Sequence, residues 1–144
     1  MKFPFFTRLQ TKKIVPAAST YDASRAEQIL ATVLEGLPEL LLGYVYDLQG
    51  NTLLASYTVS GDYNPHHLTV RNAKLLHTVQ EAVSTGAWPG GPCTDLTVML
   101  DEQMHYLRPV PELGWYCFAA VRLADANMGM VKEVLRRATL RPAA

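Results

Sequence analysis

The chain has 144 residues and a mass of 16.0 kDa, with 13 basic and 13 acidic residues, zero formal net charge and 49% hydrophobic residues. At about 100–200 residues per domain this is one domain, long enough to bury a real core and too apolar and too neutral for global disorder. The balanced charge argues against a nucleic-acid binder, which shows a basic surplus, and no apolar run approaches the ~18 residues of a membrane span.

The zero hides an asymmetry. Residues 1–20 carry Lys2, Arg8, Lys12 and Lys13 and no acid, whereas residues 21–144 carry 9 bases against 13 acids. We expect an extended or partly disordered basic arm over residues 1–20 and a single domain over residues 21–144. The arm has three readings: a frayed terminus, a strap for an anionic partner or headgroup surface, and a segment that docks on its own acidic body. Its apolar run is too short for a signal sequence, and Lys2 excludes myristoylation, so the expected location is the cytoplasm.

The folded part opens with Ser24-Arg25-Ala26-Glu27, which reads as a capping box. Ala26, Ile29, Leu30, Val33, Leu34 and Leu37 recur at helical spacing, so a first amphipathic helix is expected to about Gly36, ended by Pro38. Leu41 to Asp47 is a strand, Gln49-Gly50-Asn51 a turn, and Thr52 to Val59 the return strand of a hairpin. Asn64-Pro65 starts a second helix, which runs to Thr85 and stops at Gly86. Leu68, Leu75, Leu76, Val79, Ala82 and Val83 share one face of it, with Asn72 in the middle. That amide either bonds a local backbone group or fixes the register of a dimer axis. After the stiff connector Trp88–Pro92 come three strands, about Thr94–Leu100, Met104–Val110 and Trp115–Leu123. Asp125 is the expected cap of a last helix to about Ala138, with Met128, Val131, Val134 and Leu135 inward. The tail Arg141–Ala144 is expected to fray.

Leu41–Tyr46 and Trp115–Val121 are apolar at nearly every position, and a strand apolar on both sides is covered on both faces. The expected fold is therefore α/β: three layers, α/β/α, around one central five-stranded antiparallel sheet, in the order helix-strand-strand-helix-strand-strand-strand-helix.

Chemistry-bearing residues are sparse. Cys93 and Cys117 are too few for a disulfide framework, and Cys117 inside an apolar strand reads as an inert thiol. His66, His67 and His77 lack a thiol or carboxylate at metal-ligand spacing, and His105 lies on another strand. Asp101-Glu102 is a solvated turn, and no phosphate-binding Gly-Lys-Ser/Thr loop is present. Arg136 and Arg137 complement a helix dipole. We expect no catalytic residue, no metal and no cofactor.

The element order resembles the roadblock/LC7 family, which has a profilin-like fold. Three pieces carry the resemblance: Ile29–Leu34 leading into Leu42-Gly43-Tyr44-Val45-Tyr46-Asp47-Leu48-Gln49-Gly50-Asn51-Thr52-Leu53-Leu54-Ala55, the long middle helix, and Met104–Val110 leading to Trp115–Val121 and the closing helix. It covers Ala23 to about Ala138. The resemblance implies a scaffold rather than a catalyst, similar to partners of Ras-like GTPases, that dimerises through its third strand and middle helix. Here that maps to Leu96, Thr97, Val98 and Met99 on the strand and to Leu68, Asn72, Leu75 and Val79 on the helix. An edge strand reading Leu-Thr-Val-Met is independently a hazard unless something pairs with it, and a two-fold homodimer is the commonest cover. The expected function is a non-enzymatic homodimeric adaptor that binds a small Ras-like GTPase or related partner, with no nucleic acid and no stable membrane insertion. The rival is a small-molecule sensor domain of the PAS or profilin-like kind, which needs a cavity under the sheet.

Overall fold

The computed structural model describes residues 14–16 and 21–140. The elements in chain order are β1 (Val15–Pro16), α1 (Tyr21–Gly36), β2 (Leu42–Asp47), β3 (Thr52–Thr58), α2 (His66–Ser84), β4 (Leu96–Met99), β5 (Gln103–Val110), β6 (Trp115–Arg122) and α3 (Met128–Thr139). One antiparallel sheet runs β1-β3-β2-β6-β5-β4. It has six strands, not the expected five. The sixth is Val15–Pro16, which pairs with Ser56 and Ala55 at the edge of β3. Two residues ending in a proline carry no alternation, so this strand has no sequence signal of its own. Proline is tolerated there because the strand is an edge. The rest of the arm, residues 1–13 and 17–20, and the tail 141–144 lie outside the described residues.

Alternation along the strands divides the interior into two cores. On one face Val45, Cys117, Ala119, Val121, Met104 and Tyr106 meet α1 and α3. On the other, Leu42, Tyr44, Tyr46, Tyr116, Phe118, Ala120 and Leu107 meet Leu76 of α2. The strands apolar at nearly every position are thus the central ones, β2 and β6, buried on both faces up to Asp47 and Arg122 at their ends.

Helix α1 starts at Tyr21, so Ser24 lies inside it rather than at its cap. Ala23, buried on the same stripe as Ala26, Ile29, Leu30 and Val33, rewards the extra turn, and Asp22 suits its positive N-terminal end. At its other end Gly36 permits a close crossing: a Cβ there would sit 2.6 Å from Val134 Cγ2 of α3. Helix α3 is capped by Asn127, whose Oδ1 accepts from Met130 N at 2.8 Å, not by Asp125. Asp125 instead pairs with Arg122 at 3.7 Å. Met128 is consequently exposed, while Val131, Val134 and Leu135 are buried as expected. The start of α2 is as read: Asn64 Oδ1 accepts from His66 N, Pro65 is already helical, and Gly86 takes φ +85° past the end.

Asp95, just before β4, is tied to the end of α3 through Arg108. Arg108 Nη1 lies 2.7 Å from Asp95 Oδ1, and Nε donates to Thr139 Oγ1 at 3.1 Å. Burial alone would raise the Asp95 carboxyl, but hydrogen bonds from Tyr106, Thr94 and Arg108 and the guanidinium charge outweigh it and hold it below the usual range. A depressed carboxyl stabilises above its unfolded pKa, and the contribution is lost as pH falls through the folded value. Asp95→Asn should therefore cost about 1–2 kcal/mol at neutral pH, the size of a partly exposed charged hydrogen bond. The gap to wild type should close as pH drops below about 4. Urea midpoints across pH check this, and a pH-independent gap rules it out.

Candidate interaction surface

Helix α2 meets the sheet through a narrow stripe. Only Thr69, Asn72 and Leu76 are buried, and these lie three and four apart on one line. The expected single apolar face is therefore split. Leu76 points down, whereas Leu75 keeps 39% of its surface exposed and Leu68 and Val79 are half-buried. The cause is polar. Asn72 Nδ2 donates to Tyr44 Oη at 3.0 Å, Tyr44 Oη meets Tyr116 Oη at 2.6 Å, and Tyr116 Oη donates to the Thr69 carbonyl at 2.8 Å. Burial pushes both phenols far above their ordinary pKa, so each keeps one proton. A carbonyl only accepts, so Tyr116 gives its proton to Thr69, and Tyr44 must give its own to Tyr116. The chain runs one way, from Asn72 through both hydroxyls back to α2, and sets the rotation of the helix. Asn72 is thus bonded across to the sheet rather than to a local backbone group.

One flank of α2 borders an open groove of about 530 Å3, lined by Tyr46, Leu48, Asn51, Val70, Lys74 and His77. The flank carrying Leu68, Leu75 and Val79 lies about half a turn round the helix, away from the β2–β3 turn. It is apolar and partly open.

β4 ends the sheet and pairs only with β5 among the described residues. Its four residues divide by parity. Leu96 and Val98 oppose Leu107 and His105 and look out on the α2 side, where the His105 ring meets Phe118 edge-on at 5.2 Å. Thr97 and Met99 oppose Tyr106 and Met104 on the α3 side, and Met99 is 53% exposed. The structure thus places Leu68, Leu75, Val79, Leu96 and Val98 on one side of the sheet. Thr97 and Met99 contribute their backbone to the same edge, and Asn72 turns inward. Sequence reasoning missed His105 and Leu107, although their alternation on β5 places them beside Val98 and Leu96. Burial lowers the His105 pKa, which keeps the ring neutral.

The remaining residues fall apart as chemistry. Cys117 is fully buried against α1 and α3, and burial pushes its thiol up to about 12. His66, His67 and His77 are exposed along α2, with His105 on β5. Among the described residues no group of three or more His, Cys, Asp and Glu could hold a metal, and no helix is long and apolar enough to cross a membrane. Directly under α2 the sheet is packed by Tyr44, Tyr46, Tyr116 and Phe118, and the open groove lies at the flank of the helix beside Val70 and Lys74.

No family profile and no curated protein matches the sequence. Solved structures do match. MglB of Myxococcus xanthus superposes with a TM-score of 0.68 at 10% identity, covering 85% of this chain and 88% of that one. A roadblock/LC7 domain from Streptomyces avermitilis gives 0.64 at 12% identity, covering 77% and 88%. The gliding protein MglB of Thermus thermophilus gives 0.64 at 16% identity, covering 86% and 91%. At such identities the likeness shows the fold, and it agrees with the order of strands and helices described above. The chain has a roadblock/LC7-like fold.

Proposed function

We propose that this chain is a non-enzymatic adaptor that forms a two-fold homodimer and presents the paired protomers to a small Ras-like GTPase or a related partner. The observation that carries the dimer is the open β4 edge, Leu96–Met99, flanked on one side by the exposed Leu75 and the half-buried Val79. An edge of unpaired N–H and C=O groups joined to an apolar flank is satisfied by a second copy of itself. In support, another structure with this fold is described as MglB with a tetrameric arrangement (TM-score 0.65, 17% identity, 86% of this chain and 90% of that one). The adaptor role rests on the family resemblance and on the scatter of titratable groups. A shared fold does not by itself assign a partner.

Sedimentation tests the dimer. At micromolar concentration the wild type should show the mass of two protomers. Val98→Glu, which places a charge on the edge without entering a core, should show one and lose at least tenfold in dimer affinity. A wild-type mass of one protomer overturns the dimer. Capture from the native cell with the intact chain as bait tests the adaptor role, with a Ras-like GTPase expected and recovery of none counting against it.

A further inference from the structure

The two ends of the sheet differ in charge. The end formed by the start of β2, the ends of β3, β4 and β6 and the start of β5 has loops carrying Glu39, Asp62, Asp101, Glu102 and Asp125. Those loops contain no lysine or arginine, and the one nearby base, Arg122, is occupied by Asp125. Across the described residues thirteen acids face eight lysines and arginines, so this end concentrates an overall acidic excess.

The same end holds an apolar pocket of about 170 Å3 between α1 and α3. Leu37, Val121, Ala126 and Met130 line it, together with Glu39 and Asp125. A cavity of about 150 Å3 takes a benzene ring, so this pocket has room for one phenyl side chain.

β1 determines what reaches it. Val15 opposes Ser56 and Pro16 opposes Ala55, antiparallel. Ile14, the residue before Val15, is therefore on the Tyr57 side of this pairing, so the chain enters β1 from the side of Glu39 and the acidic end. That preceding chain carries Lys2, Arg8, Lys12 and Lys13, no acid, and Phe3, Phe5 and Phe6. Strands are spaced about 4.8 Å apart, so β1 to β6 is about 14 Å, whereas nine extended residues span about 30 Å. Reach is ample.

We propose that the segment Met1–Lys13 docks on its own protomer, with one phenyl ring from Phe3, Phe5 or Phe6 in the pocket between Leu37 and Met130 and its basic side chains on Glu39 and the neighbouring acids. Charge delivers the segment and the ring anchors it. The positive surplus of the arm and the negative surplus of the body then neutralise each other in place, and the apolar pocket is covered. This inference stands apart from the dimer, whose surface lies at β4 and α2.

Tryptic cleavage after Arg8 in the full chain tests it. Wild type should be cut at least tenfold more slowly than Phe3→Ser/Phe5→Ser/Phe6→Ser, and the difference should shrink in 1 M salt, where screening acts within about 3 Å. Ala126→Phe, which fills the pocket, and Glu39→Gln, at an exposed position, should both release the protection with the arm itself unaltered. Equal cleavage of wild type and the triple variant overturns the proposal, as does protection that survives in both body variants. Protection that rises with protein concentration assigns the arm to a second copy. Protection that appears only with vesicles containing phosphatidylserine assigns it to a membrane. Either result overturns docking in place.

Discussion

Phe118→Ala is expected to cost about 3–5 kcal/mol, the range for deleting a fully buried phenyl ring. Phe118 has no exposed surface and lies on β6 opposite Tyr44 of β2 and Leu107 of β5. It stacks on Tyr44 at 4.8 Å with an 18° tilt and takes the edge of His105 at 5.2 Å. Removing it leaves a void among three strands of one face and withdraws support from the tyrosine that anchors α2. A domain of this size has about 5–15 kcal/mol in total, so the variant should lose a large share of that and melt about 10–20 °C lower. Trp88→Ala is the control: a larger ring, but 55% exposed in the connector, so its effect should stay within about 0.5 kcal/mol. Urea unfolding followed by the fluorescence of buried Trp115 reads both. A loss below about 1 kcal/mol for Phe118→Ala would mean that the core under α2 is not packed as described.

Tyr44→Phe and Tyr116→Phe should each cost about 1–3 kcal/mol, although only one oxygen is removed. Without the Tyr44 hydroxyl, Asn72 Nδ2 loses its acceptor. Without the Tyr116 hydroxyl, Tyr44 keeps a buried proton with nowhere to place it, and the Thr69 carbonyl loses one of its donors. Because the two hydroxyls act in series, the double variant should cost less than the sum of the singles by at least about 0.5 kcal/mol. Strict additivity would show that the hydroxyls are not coupled. Both variants should also loosen α2, which should appear as faster amide exchange in α2 than in α1.

The legible and illegible parts of this molecule separate along physical lines. The existence and approximate spans of the three helices, the hairpin turn at Gln49-Gly50-Asn51 and the double-sided burial of β2 and β6 were all readable. Each depends on local spacing or on strands apolar at nearly every position, and Asn51 indeed takes φ +50°. The caps were less readable, since Asp125 and Asn127 are both able caps and only the packing of Val131 and Val134 chooses between them. β1 was not readable at all, because Val15–Pro16 is a strand only by virtue of the β3 edge it meets.

For the candidate surface the division is similar. The sequence determined that β4 would be an apolar strand and that Leu68, Leu75, Leu76 and Val79 would lie on one side of α2. It did not determine which way α2 would turn. That was decided by Tyr44 and Tyr116, which are far from Asn72 in sequence and next to it in space. Their hydroxyls cannot be buried without partners, so they draw Asn72 and Thr69 onto the sheet and leave Leu75 outside. The charge divides in the same way. The composition held a basic arm and an acidic body from the start, but only the antiparallel pairing of Val15 with Ser56 shows that β1 is entered from the acidic end, because strand direction is a property of the sheet and not of two residues.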